Sequence, residues 1–172
     1  MGDYFLGILL PEDFAEEVEV LRRRFSAPRT APHITLLPPF TWSGTDQQLF
    51  QILTNAVDAC APFTIKAQGL GRFGRRVIFV DVTVSPELAN LHRQLAGSLA
   101  KHGLGDLTQG RAYHPHITLA TRLTPTQFDQ YLEELSDYSP SREFLCQFVA
   151  VFELKTNGRF RRWQVVNHIP LN

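Results

Sequence analysis

The tetrapeptide His-Ile-Thr-Leu occurs twice in this chain of 172 residues, as His33-Ile34-Thr35-Leu36 and His116-Ile117-Thr118-Leu119, each directly behind a proline (Pro32 and Pro115). An extended segment alternates its side chains between two faces, so each His shares a face with the Thr two positions on, and Ile and Leu share the other. Each copy therefore presents an imidazole and a hydroxyl together. A second echo runs alongside: Gly71-Arg72-Phe73-Gly74-Arg75-Arg76-Val77 returns as Gly158-Arg159-Phe160-Arg161-Arg162-Trp163, at nearly the same offset. Two matches in one register point to a duplicated unit. If two such units pack about a pseudo-two-fold axis, the motif strands face each other across one cleft, with two histidines and two hydroxyls around a single substrate atom.

The length fits one domain over residues 1–172, built as two intimately packed lobes and large enough to bury roughly 70% of the surface of the unfolded chain. Lys plus Arg and Asp plus Glu number 17 each, so no global field favours long duplex nucleic acid or an acidic membrane, and any anion site must be a local cluster. The apolar stretch from Tyr4 to Pro11 is too short for a signal region, and no window approaches the ~20 apolar residues of a membrane span. A cytoplasmic monomer without membrane contact is expected, since one chain holds both motifs. Cys60 and Cys146 lack metal-ligand spacing and read as buried small apolar groups.

The expected elements begin with a strand from Tyr4 to Leu10 and a helix opened by Pro11-Glu12-Asp13, running through Phe25 with Val18, Leu21 and Phe25 at helical spacing. Arg22-Arg23-Arg24 reads as its solvated end. Ala27-Pro28-Arg29-Thr30-Ala31-Pro32 breaks the helix ahead of the first motif strand, which Pro38-Pro39 stops. A helix from Asp46 to Ala61 precedes strands at Phe63 to Ala67 and Arg76 to Val84, with Gly69, Gly71 and Gly74 in the turn between them. Ser85-Pro86 starts a helix to about Lys101, ended by Gly103 and Gly105. After a polar loop and the second motif strand, Thr124-Pro125-Thr126-Gln127 has the form of a capping box for a helix to about Ser136. A strand from Phe144 to Lys155, a hairpin turn at Asn157-Gly158 and a strand from Arg162 to Leu171 close the chain. The fold class is α+β, with outer helices set against two small antiparallel sheets.

Histidine titrates near pH 6.5, so of a pair one can be a neutral base while the other is a protonated acid. A hydroxyl on the same face can donate to a phosphate oxygen. The set suits cleavage of a cyclic phosphodiester and requires no metal or other cofactor. His114 and His116 share a strand face, but two imidazoles without a carboxylate or thiolate make a poor metal site, and His114 is better read as a flank of the cleft or a partly exposed neighbour. Arg111 and Tyr113 approach the second motif from the polar loop, where they either contact the phosphate or a base, or form an ordinary solvated loop. Phe40, Trp42 and Phe73 are candidates to stack a nucleobase, worth roughly 1–3 kcal/mol per base. Arg72, Arg75 and Arg76, with Arg159, Arg161 and Arg162, form two basic turns that either follow an RNA backbone or keep a hairpin solvated. His92, His102 and His168 have no repeat partner and receive no chemistry.

These motifs, with the N-terminal strand and helix, the strand pair around Phe73 and the closing segment with Trp163 and Pro170-Leu171, resemble the two-histidine phosphoesterase superfamily, and within it the bacterial 2'-5' RNA ligase-like proteins. The resemblance implies a bilobal fold with both motifs in a central cleft, and metal-independent hydrolysis of 2',3'-cyclic phosphodiesters of RNA ends or small nucleotides, with reversible 2'-5' ligation in some relatives. It assigns His33 and His116 as the acid–base pair and Thr35 and Thr118 as donors to phosphate oxygens. Phe73, Tyr113, Arg111 and Phe40 are the expected substrate-binding residues. The chain departs from the pattern twice. Leu37-Pro38-Pro39-Phe40 replaces a Phe-Leu-Gly ending, and Thr121 intervenes before Arg122, where relatives often carry an arginine directly. The rival reading is a non-catalytic RNA- or nucleotide-binding protein using the same cleft; a metal-dependent hydrolase fits less well because no acidic ligand pattern flanks the histidines.

Overall fold

The computed structural model of the chain describes residues 1–25 and 30–172. Along the chain lie β1 (Gly2–Leu9), α1 (Glu12–Arg24), β2 (His33–Trp42), α2 (Asp46–Ala56), β3 (Phe63–Phe73), β4 (Val77–Val82), α3 (Pro86–Leu99), β5 (His116–Ala120), α4 (Pro125–Glu134), β6 (Ser141–Cys146), β7 (Phe148–Asn157) and β8 (Phe160–Pro170). Side-chain caps fix three helix starts, because the Thr45, Ser85 and Thr124 hydroxyl oxygens accept from the backbone N–H of Gln48, Leu88 and Gln127. At Thr45 and Thr124 the glutamine reaches back and completes a capping box.

The strands form two antiparallel sheets, ordered β2-β1-β7-β8 and β5-β4-β3-β6. The duplicated unit is strand, helix, motif strand, helix: β1-α1-β2-α2 and β4-α3-β5-α4. Each motif strand lies at the edge of its sheet, beside the strand that feeds its preceding helix. The helices are exchanged, so that α1 packs on β5 and α3 on β2. Ile34 and Leu36 from one motif and Ile117 and Leu119 from the other are buried in a single hydrophobic core, with Leu6, Ile8, Val80, Leu91 and Leu95. The alternation read in the motifs thus places the apolar pairs in the core and the His–Thr pairs on the opposite face. Among the described residues no helix is long and apolar enough to cross a membrane.

Five local expectations are corrected. β2 does not stop at Pro38-Pro39 but runs through both to Trp42. An edge strand tolerates proline, since one side needs no N–H; both prolines are exposed, and the pairing with β1 shifts register between Tyr4 and Leu6, opposite them. α2 ends at Ala56, five residues early, as a non-helical turn carries the chain to Pro62. Gly69 and Gly71 lie within the long β3, leaving only Gly74 in the β3–β4 turn. The single strand expected from Phe144 is two, β6 pairing with β3 in one sheet and β7 with β1 in the other, with the crossing at Gln147. The two Gly-Arg-Phe turns are not equivalent in space: the β3–β4 turn adjoins the motif strand β5, whereas the β7–β8 turn is one strand further from β2. The break expected at Ala27-Pro28-Arg29 lies outside the described residues.

Candidate active site

His33 opens β2 and His116 opens β5, and the edges of the two sheets come together so that His33, Thr35, His116 and Thr118 line one cleft of about 220 Å³. The imidazoles are held alike. His33 Nδ1 donates to the Ala31 carbonyl at 2.7 Å, and His116 Nδ1 donates to the His114 carbonyl at 2.8 Å. A carbonyl can only accept, so in the neutral ring each bond fixes the tautomer with its lone pair on Nε2. Two phenylalanines back each ring: Phe5 and Phe152 lie 4.9 and 5.2 Å from His33, and Phe73 and Phe79 both lie 4.9 Å from His116.

This apolar backing lowers both pKa values. Burial is the main cause at His33, which falls to about 4, with the Arg22 and His116 charges adding to the depression and the Ala31 hydrogen bond opposing it. His116 is lowered chiefly by burial too, with the nearby Asp81 carboxylate acting in the other direction. Both shifts favour the neutral imidazole. An anion placed between the two rings would raise both values, since opposite charge favours the imidazolium.

A second cavity of about 470 Å³ shares Thr35 and His116 with the first and is walled by Phe73, Arg111, Tyr113 and His114. The Tyr113 hydroxyl donates to the Thr35 carbonyl at 2.8 Å, and its ring stacks on His92 at 4.0 Å between centroids. Phe73 is 39% exposed and meets His114 and His116 edge-on. His114 reaches the Asp81 carboxylate at 3.3 Å.

Not every expected residue arrives. Phe40 is a core residue, 6% exposed and stacked on Tyr4, and Trp42 is buried with its indole N–H donating to the Thr45 carbonyl; neither lines the cleft. Strand alternation explains this, because Phe40 shares the core-facing side with Tyr4 on β1. The basic turns engage the protein itself: Arg72 lies over the Phe128 ring, Arg75 pairs with Asp129 at 2.6 Å, and Arg161 approaches Asp3 at 4.0 Å. Arg122 is exposed, with its backbone in the left-handed region (φ 56°), while Thr121 lines the cleft.

Two wall residues carry no role in the sequence reading. His92 enters the second cavity from α3. Arg22 is not solvated but 3% exposed, and it lines the first cavity. Its signal was present in the helical phase: the buried residues of α1 are Phe14, Val18 and Arg22, each four apart. Among the described residues no three His, Cys, Asp or Glu side chains converge as metal ligands would.

The fold, two four-stranded antiparallel sheets flanked by helices, is that of the LigT-like proteins. TT0787 of Thermus thermophilus superposes with a TM-score of 0.71 at 18% identity, covering 98% of this chain and 97% of that one. Escherichia coli LigT complexed with 3'-AMP gives 0.71 at 19% identity, over 99% and 98%. LigT complexed with NADP+ gives 0.68 at 18%, over 99% and 98%. The chain belongs to the 2'-5' RNA ligase superfamily, whose family model matches residues 10–158. No curated protein matches it in sequence.

Proposed function

We propose that this protein hydrolyses 2',3'-cyclic phosphodiesters at RNA ends or in small nucleotides, with His33 and His116 as its acid–base pair. The carrying observation is the meeting of both His–Thr pairs in one cleft, each imidazole locked through Nδ1. One neutral imidazole takes a proton from water through Nε2. The resulting hydroxide attacks phosphorus, the bond to one ribose oxygen breaks, and the other imidazole, protonated, gives its proton to that oxygen. Thr35 and Thr118 donate to the non-bridging oxygens, where charge accumulates. The products are a phosphomonoester and a free ribose hydroxyl, and the two histidines have exchanged protonation states. With the 5'-hydroxyl of a second RNA end in place of water, the same steps form a 2'-5' phosphodiester.

Superfamily membership supports a phosphoesterase- or ligase-type enzyme, and the LigT complexes with 3'-AMP and NADP+ support a nucleotide as occupant. The second cavity suits the nucleoside, with Phe73 as a stacking face and Arg111 and Tyr113 beside it. Every proton transfer is assigned to an imidazole, and a cytoplasmic monomer suffices because one chain supplies both motifs. The test is hydrolysis of an oligoribonucleotide ending in a 2',3'-cyclic phosphate, with EDTA present, by wild type, His33→Ala and His116→Ala. Turnover lost in both variants and a 2'-phosphate product support the reading. Full activity in either variant overturns the paired mechanism, and salt-sensitive RNA binding without turnover assigns the cleft to binding alone.

A further inference from the structure

Arg22 occupies an unusual place for a residue in a run of three arginines. Its neighbours Arg23 and Arg24 are exposed, whereas Arg22 is 3% exposed and forms part of the wall that holds both histidines and both threonines. Among the described residues lining that cavity it is the sole Lys or Arg. Its position is defined by the structure around it: Nη2 donates to the Thr30 carbonyl at 2.6 Å, and Nη1 lies 3.4 Å from the Glu19 carboxylate. The second repeat offers no counterpart, since the buried residues of α3 are Leu88, Leu91, Leu95 and Leu99. Nor does the second motif supply a cation, because Thr121 faces the cleft and Arg122 is exposed on a left-handed turn.

We propose that Arg22, presented by α1 across the fold, is the phosphate-binding cation of this cleft. A phosphodiester entering this partly enclosed cavity between two imidazoles and two hydroxyls loses hydration that hydroxyl donors replace only in part. A guanidinium keeps its charge at any working pH and offers its N–H groups in a planar fork that matches two phosphate oxygens. Burying that charge is costly, as the burial-lowered pKa of the guanidinium shows, and its charge adds to the depression that burial imposes on His33. An anion between Arg22 and the two imidazoles reverses it, stabilising the guanidinium and favouring the imidazolium that the reaction needs. Glu19 competes with that anion for the guanidinium from the rim, where its side chain is 36% exposed.

The assignment rests on the phosphoester reading of the cleft, and inorganic phosphate as the probe separates the two. Titrating phosphate into wild type, Arg22→Gln and Glu19→Gln, with the imidazole resonances of His33 and His116 followed by NMR, reads the site without turnover. In wild type phosphate is expected to shift both histidines. Arg22→Gln should weaken phosphate at least tenfold and raise the His33 pKa of the free protein, a change that loss of a merely structural contact does not produce. Glu19→Gln, at a half-exposed position, should tighten phosphate severalfold and keeps the test open if Arg22→Gln does not fold. Unchanged phosphate affinity in both variants, or no perturbation of the histidines by phosphate in wild type, overturns the assignment. Phosphate binding that depends on Arg22 in a protein with no cyclic-phosphate hydrolysis upholds it and removes the hydrolytic reading instead.

Discussion

The Tyr113 hydroxyl donates to the backbone carbonyl of Thr35, so the loop that leads into the second motif is tied to the strand of the first. The bond links the two motif-bearing halves beside the cleft. Removing it with Tyr113→Phe should cost about 1 kcal/mol of stability. The larger effect is expected on turnover, because small errors in the spacing of an acid–base pair are amplified in rate. A melting curve beside kcat and KM checks this, and kcat falling severalfold with KM little changed is the expected result.

If the proposed hydrolysis holds, its pH profile follows from the two depressed imidazoles. Productive free enzyme holds one proton on the pair, so kcat/KM is bell-shaped between the two pKa values. With His33 near 4 and His116 also lowered, the bell should lie acid of neutrality, with its acid limb near the His33 value. The kcat profile should shift upward in pH, because bound phosphate raises both groups. A kcat/KM optimum above pH 8 contradicts the assignment.

Stability should respond to acid through the same residue. His33 has a folded pKa of about 4 against about 6.5 in the unfolded chain, so the unfolded chain takes up the proton first. The stabilisation is therefore full above about pH 6.5 and is lost as pH falls through about 4, amounting to no more than about 3 kcal/mol. Urea unfolding between pH 7 and 4 should show this slope in wild type and a flatter one in His33→Asn. Equal slopes would remove His33 as its source.

Gly71 on β3 faces Phe79 on β4, and a Cβ built there lies 2.3 Å from Phe79 Cε2 and 2.6 Å from Cζ. Phe79 in turn backs the His116 ring. Gly71→Ala should push that phenylalanine toward the imidazole, destabilising the fold by about 1–3 kcal/mol and lowering kcat as well. Gly97 on α3 meets nothing within 4 Å, and Gly97→Ala should stabilise the helix by about 0.5–1 kcal/mol with activity unchanged. Thermal melts and initial rates on the pair distinguish a cleft-specific effect from a general one.

Local chemistry was readable where a residue's role is settled by near neighbours. The alternation of His33, Ile34, Thr35 and Leu36 forces two faces on any extended strand, and the Thr124–Gln127 capping box needs four residues; the closing hairpin was located to within one residue, since Asn157 still pairs with Phe160 and the turn is Gly158-Arg159, with Gly158 at positive φ (62°). Arg22, Pro38-Pro39 and β6 were misread because their roles depend on distant partners. A buried arginine is sensible only if a cleft lies above it, and two prolines in a strand only if that strand is an edge. β6 begins with the polar Ser141-Arg142-Glu143, and it is the pairing with β3 that makes it a strand. Phe40 was misplaced for a related reason: which face of β2 meets the core is decided by β1.

The crossing at Gln147 bears on when the cleft can exist. β7 lies beside β1 although the whole second repeat separates them in sequence, so the sheet that carries His33 cannot be finished until the chain beyond Gln147 has left the ribosome. Such a pairing of distant segments is a long loop closure and forms slowly relative to local contacts. Phe152, which lies behind the His33 ring, is supplied by that late segment. A chain cut short ahead of β7 would lack both the strand beside β1 and the Phe152 ring beside His33.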